Sequence, residues 1–209
     1  MMTDMQEWLP LLREQYLQTD PIQWAVLILG VTEVLLARAN NIWLYPAGIA
    51  AAALATFSLF TVQLYAECLL HLYYIVMSVY GWWFWFHKKH SPPVRITYAT
   101  PREWIITGSI VFGGWAVLAM VLITFTSSTV PLWDAWVTST AWAGMWLLAR
   151  RKIENWMVLN LSNAFAIPLM FHKDLPLFGL LTIFLFMVAC RGYVDWIRMY
   201  KVESLKFRI

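Results

Sequence analysis

Seven long apolar stretches fill most of this chain of 209 residues, and they constrain its fold more than any other feature. A helix crosses the hydrocarbon core of a bilayer with about 20 mainly apolar residues. The stretches predict an all-α polytopic membrane protein with seven transmembrane helices. They cover residues 22–38, 42–60, 62–86, 103–125, 130–149, 155–171 and 176–197.

The low content of charged residues separates this chain from soluble globular proteins. Asp, Glu, Lys and Arg make up 13% of it, whereas soluble domains carry about 25% so that their surface is solvated. The 14 tryptophans suit a protein that is anchored at two membrane interfaces. We therefore expect the chain to have the lipid bilayer as a partner, and no nucleic acid.

Lys and Arg are distributed unevenly between the two sides that seven crossings define. The side of the N-terminus holds Arg13 and Lys173, and the opposite side holds the other thirteen of the 15 basic residues. Basic residues concentrate in cytoplasmic loops, which is the positive-inside rule. The sequence therefore predicts a multi-pass protein whose N-terminus lies outside and whose C-terminus lies inside the cytoplasm.

Three short motifs recur in the same order in the two halves of the chain. They are Leu-Leu-Ala-Arg at 35–38 and 147–150, a tryptophan at 43 and 156, and Gly-x-x-x-Trp at 81–85 and 192–196. Equivalent helices lie four crossings apart and therefore run in the same direction. This indicates two parallel three-helix repeats joined by a linker helix, an arrangement that transporters use for alternating access.

The repeat also predicts how the chain is divided. We expect an N-terminal extracytoplasmic segment (1–20), a first three-helix repeat (21–89), a cytoplasmic loop with the linker helix (90–129), a second three-helix repeat (130–198) and a cytoplasmic C-terminal tail (199–209).

Polar and aromatic residues follow helical spacing where the two repeats differ, on the third and sixth stretches. Steps of three or four residues align them on one face of a helix. The candidates are Glu67, His71, Tyr74, Ser78 and Trp82 on the third stretch, and Trp156, Asn160 and Asn163 on the sixth. In the first repeat the motif alignment pairs these last three with Trp43, Ala47 and Ala50.

Each candidate also has a structural interpretation. The Asn amides can join helices instead of binding a ligand, and Trp82 can anchor the chain at the interface. Glu67 is placed to be a solvated carboxylate at the end of its stretch. The sequence leaves open whether Glu67 and His71 are functional, and whether the deeper Glu33 is functional or pairs with Arg38 or a neighbouring helix.

The sequence contains no Walker loop, no zinc-binding His-Glu-x-x-His and no nucleophile elbow. We therefore expect no catalytic residue, no metal and no cofactor. An intramembrane enzyme would need acids or histidines gathered at one depth, and a sensory or structural subunit would have no need of the parallel repeat.

Three segments of the chain resemble the PnuC family of bacterial vitamin transporters. They are LYAECLLHLYYIVMSVYGWWFW (64–85), ENWMVLNLSNAFAIPLMFHKDLP (154–176) and RGYVDW (191–196). The similarity covers almost the whole chain after the first 20 residues. It implies an architecture like that of SWEET transporters, with three helices, a linker helix and three more helices, in the bacterial inner membrane.

The resemblance implies uptake of a small cationic vitamin precursor, namely nicotinamide riboside, as a step of pyridine nucleotide biosynthesis. Transport would occur by facilitated diffusion, with trapping by cytoplasmic phosphorylation; thiamine is the alternative substrate. The family binds its substrate on the third and sixth helices. Here the resemblance implies contacts from Tyr74, Trp82, Trp156, Asn160 and Asn163. Together with two residues from the polar face of the third stretch, the expected substrate-binding residues are Glu67, Tyr74, Ser78, Trp82, Trp156, Asn160 and Asn163.

The chemistry of these residues suits both vitamins. Aromatic faces attract a cationic ring by about 0.5–2 kcal/mol per contact, and Asn amides pair with carboxamide and hydroxyl groups. The sequence does not separate nicotinamide riboside from thiamine. It also leaves open whether Glu33 or Glu67 couples transport to protons, and whether the chain forms a homo-oligomer.

Overall fold

The computed structural model describes residues 5–61, 65–87, 95–126 and 128–206. Within these ranges the chain forms eight α-helices and no β-strand. The helices are α1 (Met5–Gln18), α2 (Pro21–Arg38), α3 (Leu44–Thr61), α4 (Tyr65–His87), α5 (Pro101–Phe125), α6 (Pro131–Ala149), α7 (Asn155–His172) and α8 (Pro176–Lys206).

Helices α2 to α8 follow the seven predicted stretches closely, with most ends within three residues of the expected position. The exception is α8, which continues to Lys206, so that most of the predicted tail is helical. Among the described residues, α2, α5 and α8 are long and apolar enough to cross a membrane by length and composition. Within α3, Leu44–Phe60 forms a shorter apolar helix.

Several helices begin at a proline, which lacks the N–H group that the first turn would leave unpaired and has φ already fixed for a helix. Pro21, Pro101, Pro131 and Pro176 are each the first residue of their helix. Thr100 adds a capping box at the start of α5. Its hydroxyl oxygen accepts a hydrogen bond from the Glu103 N–H, and its own backbone N–H donates to the Glu103 carboxylate. These signals fix where the helices start.

Six of the helices pack as a closed ring. Going around the ring, α2 contacts α3, α3 contacts α4, α4 contacts α6, α6 contacts α7, α7 contacts α8, and α8 contacts α2. Helix α5 packs outside the ring, mainly against α6, and α1 packs against α8. The ring therefore encloses a space that α1 and α5 do not border.

The turn between α2 and α3 has the same backbone geometry as the turn between α6 and α7. Asn40 and Arg151, which lie 111 residues apart, both have positive φ, at 53° and 55°. The amides of the two residues donate to Ala37 O and Leu148 O, and those of the next residues, Asn41 and Lys152, donate to Leu36 O and Leu147 O. Arg151 Nε also donates to Asn40 Oδ1 at 3.1 Å, which joins the two turns.

The spacing of these turns agrees with the 111 residues between the two Gly-x-x-x-Trp motifs, but it differs from the alignment of Trp43 with Trp156. A spacing of 111 residues pairs Trp156 with Tyr45, whereas the motifs pair it with Trp43. Trp156 and Tyr45 are 1% and 2% exposed, while Trp43 is 66% exposed. The motif alignment is displaced because it matched identical residue types, and the residue equivalent in position to Trp156 is a tyrosine.

Each half of the ring contains a glycine that lies against an aromatic side chain, next to a second aromatic residue. The sets are Gly81, Tyr45 and Trp85 in the first half, and Gly192, Trp156 and Trp196 in the second. The two rings of each set meet edge to face, with centroids 5.2 Å apart in the first and 5.7 Å in the second. A Cβ atom on either glycine would overlap the facing ring.

Two indole hydrogen bonds connect the halves near the same turns. Trp196 Nε1 donates to Ala37 O at 3.1 Å, which joins α8 to the end of α2. Trp85 Nε1 donates to Ala149 O at 3.0 Å, which joins α4 to the end of α6. All four residues are buried. At this end of the ring, the two halves are therefore joined both between α8 and α2 and between α4 and α6.

Candidate functional site

A central cavity of about 310 Å³ lies inside the ring, and all six ring helices contribute to its wall. Most of the wall is made of small or aliphatic side chains. The polar and aromatic residues that line it are Glu33, His71, Tyr74, Ser78, Trp156 and Asn163. A mainly apolar cavity with a few polar groups, at a volume within about 300–1,000 Å³, is typical of small-molecule sites.

The structure gathers four of the residues expected to bind substrate around this cavity. They are Tyr74, Ser78, Trp156 and Asn163. Trp82 lies elsewhere, at an open pocket near the turn between α2 and α3. The side chain of Glu67 lies outside the described residues.

Asn160 is not among the residues that line the central cavity. Its Nδ2 donates to Cys190 Sγ at 3.2 Å, which links α7 to α8. Asn163, three residues further along α7, does line the cavity. The two amides that the sequence placed together therefore have different surroundings.

The residues of the cavity lie at successive levels above the glycine–ring contacts. Because a helix rises about 1.5 Å per residue, Asn163 lies about 10 Å beyond Trp156 along α7. On α4, Ser78 lies about 5 Å and Tyr74 about 10 Å beyond Gly81, again from the rise per residue. Trp156 thus lies at one end of the cavity, and Asn163 and Tyr74 lie at a similar level further in.

Glu33 is placed between these levels by its contact with α3. Its carboxylate lies against Gly48, where the lack of a side chain leaves room for it. Gly48 is three residues along α3 from Tyr45, which puts the carboxylate about 5 Å above the glycine–ring contacts. A Cβ at position 48 would overlap the Glu33 side chain.

The pairing of Glu33 with Arg38, one alternative from the sequence, is not present. Arg38 Nε instead lies 2.7 Å from Asp195 Oδ2 on α8. Among the described residues Glu33 makes no salt bridge, and the residues that line the cavity include no Lys or Arg. Among the described residues, the cavity lining therefore contains one carboxylate, and that carboxylate has no basic partner. Sequence reasoning left Glu33 out of the expected site, because the nearby Arg38 offered it a partner.

Two buried nitrogen atoms of cavity residues have no hydrogen-bond partner among the described residues. They are Trp156 Nε1 and His71 Nδ1. Buried polar groups in folded proteins nearly always have a partner. Trp156 is 1% exposed, so its N–H is buried without an acceptor among the described residues.

Comparison with known proteins gives this cavity its context. Residues 20–198 match the model of the family described as nicotinamide mononucleotide transporter. The chain belongs to this family. The PnuC family resemblance seen in the sequence is thereby confirmed.

The similarity to relatives in the PnuC family extends over most of the chain. The nicotinamide riboside transporters PnuC of Escherichia coli strain K12 and of Shigella flexneri are each 22% identical to it over 196 residues, covering 81% of this chain and 82% of the relative. The crystal structure of the vitamin B3 transporter PnuC has a TM-score of 0.67 at 21% identity and covers 96% of this chain and 94% of that one. The chain therefore has the fold of that transporter.

Family membership decides the class of the protein. Relatives in the PnuC family are named as transporters, and the described helices include several that are long and apolar. The chain is therefore a multi-pass membrane transporter, and the prediction that it is not an enzyme is confirmed.

Proposed function

We propose that this transporter carries nicotinamide riboside across a bacterial inner membrane through the central cavity. The observation that supports this most directly is the carboxylate of Glu33, because the described residues that line the cavity include no other acidic residue and no Lys or Arg. Nicotinamide riboside carries one positive charge, on its pyridinium ring. A described lining with one acidic residue and no basic residue suits such a monocation.

The same charge balance favours the riboside over its 5′-phosphate. A phosphate group adds about 1.5 to 2 negative charges at neutral pH, and proteins usually bind it through Arg or Lys. The described lining of the cavity offers neither. Phosphorylation in the cytoplasm would therefore prevent return of the vitamin, so that facilitated diffusion followed by phosphorylation gives net uptake.

The other lining residues suit the remaining parts of the molecule. The rings of Trp156 and Tyr74 can hold a flat cationic ring by about 0.5–2 kcal/mol per contact. The Asn163 amide and the Ser78 hydroxyl can pair with the carboxamide and the ribose hydroxyls. Thiamine, the alternative substrate, is also a cationic aromatic compound with a hydroxyl group and requires a direct comparison.

The proposed topology has seven crossings arranged as two parallel three-helix repeats, with the N-terminus outside. It is supported by the matching turns around Asn40 and Arg151, by the paired glycine–ring contacts and by the charge distribution between the two sides. Rocking of one repeat against the other would expose the cavity to each side in turn.

Uptake into proteoliposomes that contain only the purified transporter tests the mechanism. With a proton gradient imposed across the vesicle membrane, acidic outside, we expect labelled nicotinamide riboside to equilibrate without exceeding its outside concentration, and an uncoupler to have no effect. Accumulation above the outside concentration that the uncoupler abolishes would contradict facilitated diffusion. Competition by unlabelled nicotinamide riboside, its 5′-phosphate and thiamine in the same vesicles separates the three ligands, and stronger competition by thiamine would favour the alternative.

A further inference from the structure

We propose that Glu33 determines specificity for the charge of the substrate, with its carboxylate facing the cationic ring of the bound vitamin. This inference rests on the proposed transport of nicotinamide riboside. It goes beyond it by assigning recognition of the positive charge to one residue on α2, outside the third and sixth crossings where the sequence places the binding residues.

The position of the Glu33 carboxylate is fixed by packing between α2 and α3. The carboxylate lies against Gly48, which is buried, and a single added carbon atom there would overlap it. The small residues Ala51 and Ala52 of α3 border the same cavity. Helix α3 thus leaves space for this side chain, and the cavity adjoins it.

The charge of Glu33 is not balanced by the described protein. Arg38, the nearest basic residue along α2, forms its salt bridge with Asp195. Among the described residues that line the cavity, Glu33 is the only acidic one, and the only other ionisable groups are His71 and Tyr74. A carboxylate within a membrane protein is costly unless a partner stabilises it, and a cationic ligand supplies that partner.

The level of the carboxylate matches the expected position of a bound ring. Trp156 lies at one end of the cavity, and the carboxylate of Glu33 lies about 5 Å further in, judged from the helix rise. Asn163 and Tyr74 lie about 5 Å beyond that, again by the helix rise. A pyridinium ring above Trp156 therefore has its charge at the level of Glu33, and its ribose reaches the level of Asn163.

The proposal separates the effect of charge from the effect of shape. The 1,4-dihydro form of nicotinamide riboside has nearly the same shape and the same hydrogen-bonding groups, but its ring is neutral. A carboxylate that recognises charge distinguishes the two forms, whereas a carboxylate that only packs against α3 does not.

Calorimetric titration of the purified protein with both forms tests this proposal. We expect the wild type to bind the cationic form more tightly, and Glu33→Gln to weaken its binding by about tenfold or more, as when one partner of a buried charge pair is removed. Binding of the neutral form should change by less than about threefold, since its hydrogen bonds remain. The matched control is Glu14→Gln, which removes the same charge from an exposed position on α1 and should leave both affinities unchanged.

A second variant guards against failure of Glu33→Gln to fold. Gly48→Ala keeps the charge of Glu33 and displaces its carboxylate, so it should show the same selective loss for the cationic form. The charge proposal would be overturned if these variants weakened binding of both forms equally, or if they left the affinity for the cationic form unchanged. The proposed function would still stand in that case, because it depends on binding of the cationic form by the wild type. Failure of the wild type to bind the cationic form would overturn both.

Discussion

Asn160 and Asn163 lie three residues apart on α7, and their amides have different neighbours. Their spacing on α7 places both on one face, which is why the sequence assigned both to the substrate. The structure gives Asn160 a partner on α8, the Cys190 sulfur at 3.2 Å, and leaves Asn163 at the cavity. Helical periodicity indicates which residues share a face, but it does not show which neighbouring helix each one contacts.

Replacement of each amide by alanine should separate these roles. We expect Asn163→Ala to weaken binding of nicotinamide riboside by about 1–2 kcal/mol, the typical effect of losing one hydrogen bond in a buried site. Asn160→Ala should lower the thermal unfolding temperature and change affinity less. Titration and thermal unfolding of both variants in detergent check this. A larger affinity loss for Asn160→Ala would show that the cavity assignment is wrong.

The two glycine–ring contacts offer a matched pair of substitutions. Gly192→Ala and Gly81→Ala both place a Cβ against an aromatic ring and should each destabilise the fold by about 1–3 kcal/mol, as overpacking does. Only Gly192→Ala displaces a ring that lines the cavity, that of Trp156, so only it should also weaken substrate binding.

The control for this pair is Gly113→Ala on α5, where the added carbon atom meets nothing within 4 Å. We expect its substrate affinity to match that of the wild type, and its unfolding temperature to be unchanged or higher, because Ala favours a helix over Gly. Equal loss of affinity in Gly81→Ala and Gly192→Ala would contradict the special position of Trp156.

At the level of helices and turns, the sequence predicted most boundaries, because apolar length and first-turn prolines are local signals. It did not predict the end of α8 at Lys206, since the polar residues after position 197 lack the apolar character that defined the stretch. The pairing of the second stretch with the sixth was also displaced, by two residues, because Tyr45 and not Trp43 occupies the position equivalent to Trp156. Which positions are equivalent depends on the backbone geometry of the turn, and a match of identical residue types does not show that geometry.

The turn between α2 and α3 depends on the left-handed conformation of Asn40, at φ 53°. Asn40→Gly keeps this conformation and removes the oxygen that accepts from Arg151, whereas Asn40→Ala removes the oxygen and adds a penalty of about 1–2 kcal/mol for φ above zero. We expect thermal unfolding to occur at the lowest temperature for Asn40→Ala, at an intermediate one for Asn40→Gly and at the highest for wild type. Equal values for the two variants would show that the conformation carries no cost.

For the molecule as a whole, the indole hydrogen bonds of Trp85 and Trp196 join the two halves at the end of the ring that holds the matching turns. In the proposed mechanism, rocking of the repeats breaks these bonds when that end opens. Each one contributes about 0.5–1.5 kcal/mol. Removal of the two indole N–H groups should therefore destabilise the closed arrangement, even when the aromatic rings are kept.

The double variant Trp85→Phe/Trp196→Phe keeps both rings and removes both N–H groups, so it should open more often at this end. A cysteine introduced at Ser78, in the cavity wall, reports opening through its rate of reaction with a thiol reagent in a background without other cysteines. We expect the double variant to accelerate this reaction about tenfold or more, from the loss of two hydrogen bonds. The matched control is Trp104→Phe on the exposed side of α5, which should not alter the rate; an unchanged rate in the double variant would contradict the closing role of the indoles.

Helix α5 packs outside the ring and supplies none of the described residues that line the cavity, yet the proposed architecture depends on it. Three crossings leave the chain on the side of the membrane opposite to the one where it started. A second copy joined directly to the first would therefore have the inverted orientation in the membrane. One extra crossing corrects the polarity of the second copy. In this view the role of α5 is to give the second repeat the same orientation as the first. Its sequence is free to vary wherever it does not contact α6, provided that it still spans the bilayer.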